Sequence, residues 1–250
     1  MRRLLALALA LWPGLAQAHF GLILPDKAMI TQEDGREVAL TFGFVHPFEQ
    51  FGMEMAPPVR VLVRHPGGTD DITDSLAPRP VHGARGFRAD FRLTRPGAYA
   101  FAMEPQPYWE PGEDKYILHY SKTYVSAFDG DAGWQELLGL KTEIQPLTRP
   151  FGLWEGNIFR GRVLRDGAPV PNAEVEVEYY NAEGRQAPAE VMITQTIQAD
   201  EDGVFAYAPP GPGWWGFAAL TEADYTFARA GAEKPVELGA VIWVHFEPWD

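Results

Sequence analysis

The 250-residue sequence contains no cysteine. That excludes disulfide staples, thiolate metal ligands and a thiol nucleophile, and it excludes a lipid-modified cysteine after an export signal. Basic residues are scarce as well: 21 Lys and Arg stand against 34 Asp and Glu, for a net charge of −13. So acidic a chain is a poor partner for nucleic acid or an anionic membrane surface, while it is compatible with attracting cations. The apolar run LLALALALW near the amino terminus is shorter than the roughly 18–20 residues needed to span a bilayer, and no later stretch exceeds it. There is no G-x-S-x-G or H-E-x-x-H, and the few serines have no motif context, so nothing points to hydrolytic catalysis; the chain is not expected to be an enzyme.

The first 18 residues read as a secretory signal. Arg2 and Arg3 form the basic region, the apolar run comes next, and Ala16-Gln17-Ala18 is a small-x-small cleavage site. Removal leaves a mature chain of 232 residues (250 less 18) beginning at His19, with a net charge of −15 once Arg2 and Arg3 are gone. The expected location is the periplasm, with no direct membrane span in the mature chain.

Strand signals dominate the mature chain. VALTFGFV (38–45), VRVLVR (59–64), FRADFRL (87–93), YAFAME (99–104) and YILHYSKTYVSAF (116–128) are rich in β-branched and aromatic residues between Pro/Gly turns. One short helical piece is expected, capped by Asp131 and ended by Gly139. The strand rhythm breaks near LTRPFGLWEGN (147–157), and a second β set begins there. The fold expected is all-β, with two Ig-like or transthyretin-like β-sandwich domains: a signal peptide at 1–18, an N-terminal metal-binding domain at 19–150 and a C-terminal domain at 151–250. The blocks GRVLRDGAPVPNAEVEVEYY and ADEDGVFAY resemble carboxypeptidase-regulatory-like Ig-type modules, which speaks to fold and not to function. The acidic run Asp200-Glu201-Asp202-Gly203 reads as a hairpin turn, because the last position of a twelve-residue calcium loop starting there is Gly211.

A histidine at a mature amino terminus is bidentate, since its α-amine and Nδ1 close one chelate ring on a metal. The amine ionises near pH 8, so its lone pair is cheaply available at neutral pH. Nitrogen donors suit Ni2+, Co2+, Cu2+ and Zn2+, with copper favoured on raw affinity. His46 continues the apolar face of Val38, Leu40, Phe42 and Phe44. It reads equally as a hydrogen-bonded core residue or as a ligand at a strand end, where Glu49, Met53, Glu54 and Met55 crowd the next loop. His119 shares a strand face with Ile117 and Ser121 and comes after a loop bearing Glu110, Glu113 and Asp114; a structural role fits its pattern somewhat better than ligation. His65 and His82 precede turn residues and read as solvated turn positions, while His245 lies in the last strand and reads as structural.

The blocks HFGLILP, HPFEQFGMEM, PYWEPGEDKYILHYSK, GLKTEIQPLTRPFGLWEGNIFRGRVL and PGWWGFAAL, in this order, resemble the periplasmic component that accompanies nickel/cobalt uptake transporters of the energy-coupling-factor kind, a family of unknown formal function. The resemblance implies a binding protein that captures Ni2+ or Co2+ and presents it to the membrane subunits of a nickel/cobalt transporter. The positions inside matching blocks that it carries are His19, His46 with Glu49, and His119, with Met53, Met55, Glu110 and Glu113 as weaker candidates. A second reading is a copper oxidoreductase or copper-handling protein with an N-terminal histidine brace. A third is an adhesion or scaffold protein without metal.

Overall fold

The computed structural model describes residues 18–249. The expected signal segment therefore lies outside the described residues, apart from Ala18. The strands that build the site are β1 (Phe20–Pro25), β2 (Glu37–His46), β3 (Arg60–His65), β4 (Ala84–Arg92), β5 (Gly97–Glu104), β6 (Tyr108–Glu110), β7 (Lys115–Ala127), β8 (Phe159–Arg165), β9 (Glu174–Tyr179), β10 (Gly213–Glu222) and β11 (Val236–Glu247). They form an all-β, multi-sheet sandwich. Among the described residues no helix is long and apolar enough to cross a membrane.

Alternation explains most of the placement. In β9, Val175 and Val177 turn into the core while Glu174 and Glu176 turn away from it, as a half-buried strand requires. In β2, Val38, Leu40, Phe42 and Phe44 face one core. β7 is buried along nearly its whole length because it runs through the middle of the largest sheet.

That sheet runs from Gln195–Gln198 through β9, β10, β11, β7, β5 and β3 to Gly68–Asp71. Its centre is a parallel pairing of β7 with β11, from Tyr116 opposite Val236 to Thr123 opposite Trp243. The division near residue 150 does not interrupt it. A five-stranded sheet built on β1, β2 and β4 covers its N-terminal half, and the core between them contains Ile23, Phe42, Tyr99, Phe101 and Val125. A four-stranded sheet built on β8 covers the C-terminal half, around Phe159, Phe205, Phe217 and Ile242.

The helical piece expected at 131–139 is absent: residues 132–135 form turns. Gly133 and Gly139 both adopt positive φ (98° and 72°), and the backbone N–H groups of Leu138 and Gly139 donate to the Glu143 carboxylate rather than into a helix. The Asp200 region is a turn as expected, with the Asp200 carboxylate accepting from the N–H groups of Asp202 and Val204.

Glu143 also accepts from the ammonium of Lys122, which is fully buried at the middle of β7. Burial opposes the charge on Lys122, yet Tyr124 and Glu143 outweigh it and raise its pKa. A second buried carboxyl, Glu178, accepts hydrogen bonds from the Phe48 N–H and the Thr194 hydroxyl. Burial, partly offset by those bonds, pushes its pKa up to about 8.

Each of these buried groups has a measurable consequence. Truncating Lys122→Ala leaves Glu143 buried without its cation and is expected to cost about 3–5 kcal/mol in urea unfolding. Because the folded pKa of Glu178 lies above that of an unfolded glutamate, its neutral form favours folding at low pH, and this contribution is lost as pH rises through about 8. Glu178→Gln is therefore expected to flatten the decline in unfolding midpoint between roughly pH 5 and 8, measured across a pH series; an unchanged slope would assign the decline to other groups.

Candidate functional site

His19 is placed by the residue after it. Phe20 is fully buried against Trp243, with ring centroids 5.8 Å apart. Gly216 makes room for both, since a Cβ there would stand 2.8 Å from the indole and 2.9 Å from the Phe20 ring. The Trp243 indole N–H donates to the Gly21 carbonyl at 2.8 Å. β1 also pairs with β2, Phe20 opposite Val45. With Phe20 pinned, the half-buried His19 ring is held at the rim of the sandwich.

There it meets His46, the last residue of β2, with ring centroids 4.7 Å apart and the rings crossed at 66°. The turn after His46 is held by the C-terminal half of the chain. Glu178 takes the Phe48 N–H, the Asn181 side chain donates to the Phe48 carbonyl, and the Asn181 N–H donates to the Pro47 carbonyl. Phe44 stacks on His19 at 5.6 Å.

The carboxylate that reaches His19 is Glu110 of β6, 3.1 Å from Nε2. β6 is itself clamped from the other half of the chain. The Arg229 guanidinium lies 4.3 Å over the Trp109 ring, and Lys234 bonds Asp114 at 2.6 Å. Both cations belong to the two-stranded hairpin Phe227–Arg229/Ala232–Lys234.

Burial lowers the pKa of both histidines. For His19 the largest cause is desolvation, followed by His119, with Glu110 and Glu113 opposing. For His46 it is desolvation, followed by His19. Both rings are therefore neutral at pH 7, the state in which imidazole offers a lone pair. With Nε2 of His19 bonded to Glu110, its remaining nitrogen, Nδ1, is the one that can join the α-amine in a chelate ring.

The other expected candidates are placed differently. His119 is buried under β1, its Nδ1 accepting from the Gly21 N–H at 3.3 Å. Its ring lies over Gly239, the opposite residue on β11, where any Cβ would collide with it. Nδ1 is an acceptor, so the ring proton sits on Nε2, and that tautomer offers no lone pair on the open side. Glu49 is exposed on the turn and touches His46 only through its charge. Met53 and Met55 are packed in the N-terminal core, and Glu113 pairs with Lys115. His65 stacks on Tyr99, His82 bonds the Tyr180 hydroxyl, and His245 packs on Trp214. Among the described residues, no group of three or more His, Asp or Glu side chains is gathered closely enough to hold a metal ion. Two imidazoles and one supporting carboxylate are what the fold brings together. The pairing of His19 with Glu110 had only the loop acidity of PYWEPGED as its sequence signal.

No curated protein matches the chain. Among solved structures it is similar to the D0-D1 domain of intimin, 10% identical over 89% of this chain and 99% of that one with a TM-score of 0.23. It is also similar to the fibronectin(III)-like modules of Clostridium thermocellum CbhA, 8% identical over 91% of this chain and 95% of that one with a TM-score of 0.24. A two-domain fibronectin type-III segment of chicken tenascin is 12% identical over 90% of this chain and 98% of that one, with a TM-score of 0.21. At such TM-scores these likenesses carry no weight for function. A family model described as a domain of unknown function, DUF4198, matches residues 16–223, and the chain belongs to that family.

Proposed function

We propose that the mature chain is an extracytoplasmic metal-binding protein that captures Ni2+ or Co2+ and passes it to a membrane uptake transporter. The observation that carries this reading is the convergence of His19 and His46, 27 positions apart, at one rim of the sandwich. In the mature form the third donor is not a side chain. Cleavage after Ala18 frees the α-amine of His19, which with Nδ1 forms a chelate ring, and His46 supplies a further nitrogen. Glu110 then acts through His19: by holding Nε2–H it fixes the tautomer and raises the basicity of Nδ1. The delivery step and the choice of Ni2+ or Co2+ rest on the resemblance of the sequence blocks to nickel/cobalt transport components.

One feature favours a second reading. An amine with two neutral imidazoles is an all-nitrogen set, and such a set prefers Cu2+ over its neighbours on raw affinity. The alternative is thus a copper-handling protein or copper oxidoreductase.

Calorimetry on correctly processed protein separates these readings. Ni2+ or Co2+ is expected to bind, and a chain with one extra residue before His19 is expected to lose most of that affinity. Identical binding by both chains would remove the amine from the site. Peroxide-dependent turnover with bound copper and a reductant would favour the alternative. Glu110→Gln is expected to weaken metal binding about 10–100-fold while leaving the melting temperature nearly unchanged.

A further inference from the structure

β5 ends at Glu104, and the chain reaches β6 through Pro105-Gln106-Pro107. The two prolines have no N–H to give a neighbouring strand, and pairing resumes where Tyr108 meets Ile117 of β7. Against this detour lies a cavity of about 140 Å3 walled by Phe44, Met55, Met103, Tyr108, Trp109 and Ile117. Phe44, Met55, Met103 and Ile117 are buried, while Tyr108 and Trp109 are half-buried. Phe44 and Tyr108 also pack against His19, at 5.6 and 6.4 Å, but neither His19 nor His46 lines the cavity. An apolar cavity of about 150 Å3 holds one benzene ring, so this one takes a single ring or a branched aliphatic group of like size.

The apolar walls carry two charges at the mouth, Arg85 and Glu54. Arg85 spends Nε on the Met55 carbonyl at 2.8 Å, and among the described residues its two terminal nitrogens have no hydrogen-bond partner. Glu54 accepts the Arg85 backbone N–H at 3.2 Å. Its other oxygen stands 3.7 Å from the guanidinium, beyond hydrogen-bond reach. The mouth thus offers a free guanidinium edge, which suits a carboxylate in bidentate fashion, beside a loosely held carboxylate, which suits an ammonium. An apolar slot with a few convergent polar groups is the usual form of a small-molecule site.

We propose that this cavity binds a free α-amino acid with an apolar, ring-sized side chain. The side chain fills the slot against Phe44, Tyr108 and Trp109, where aromatic edges and faces and the Met55 and Met103 thioethers all favour a ring. The α-carboxylate meets Arg85 and the α-ammonium meets Glu54. A zwitterion also suits the chain as a whole. At a net charge of −13 the protein repels a simple carboxylate, whereas an amino acid carries no net charge.

NMR of methyl-labelled methionine tests this on the mature, metal-free chain, so the outcome does not depend on the proposed metal site. Met55 and Met103 line the cavity, whereas Met29 and Met192 do not. Phenylalanine at millimolar concentration is expected to shift the Met55 and Met103 methyl signals saturably and to leave the other two in place. No saturable shift, or equal shifts at all four, overturns the site. Arg85 and Glu54 are 52% and 68% exposed at the side chain, so replacing either spares the fold. Arg85→Gln is expected to weaken phenylalanine binding about 10–100-fold. Hydrocinnamate, which lacks the ammonium, and phenethylamine, which lacks the carboxylate, are each expected to bind about tenfold more weakly than phenylalanine. Undiminished binding by Arg85→Gln, or either analogue matching phenylalanine, overturns the amino-acid assignment.

Discussion

The seat of Phe20 is the constraint on which the site depends. A fully buried ring is wedged between Trp243 and the bare backbone of Gly216, and the indole of Trp243 holds the carbonyl of the next residue. This contact ties the start of the described chain to its last long strand. It also decides what His19 can be. A histidine one residue before a buried anchor is held at the rim with its ring half-buried, where an unanchored terminus would wave in solvent. Burying an aromatic ring is worth about 1.5–3 kcal/mol, and here that energy doubles as positional precision for the neighbouring imidazole.

Around this anchor the two halves of the chain depend on each other. The N-terminal half supplies His19, His46 and Glu110. The C-terminal half supplies Glu178 and Asn181, which hold the turn after His46, and Arg229 and Lys234, which hold the strand bearing Glu110. None of these four touches the imidazole pair, yet each fixes an element that does. The parallel pairing of β7 with β11 makes this possible, because it fuses both halves into one sheet.

The electrostatics divide at His19. On one side burial keeps two imidazoles neutral and able to donate lone pairs. On the other, carboxylates gather around one lysine. Neutral nitrogen binds transition metals tightly and with directional preference, while carboxylate clusters attract cations over distance with little selectivity.

Much of this architecture is legible in period-two patterning. AEVEVEYY states which residues of β9 face the core, and VALTFGFVH places His46 at the end of an apolar face. Local chemistry likewise marks the Asp200 turn, where a short acidic side chain can cap its own backbone. The short helix predicted at 131–139 failed because the Glu143 carboxylate, from the next strand, takes the N–H groups that a helix would have used. The choice of Glu110 over Glu49 as the carboxylate at His19 was invisible for a similar reason. Both lie in acidic stretches of sequence, and the pairing of β6 with β7, together with the clamp on Trp109, brings one of them to the ring. His119 shows the limit most plainly. Its alternation predicts burial, but which nitrogen is engaged depends on Gly21, a residue 98 positions away that lies across it only once β1 is seated. The sequence by itself determined the all-β patterning, the histidine next to a predicted cleavage site and the absence of thiolates. The tertiary structure alone decided which donors meet, because strand pairing between distant segments is set by whole-sheet packing and leaves no local trace.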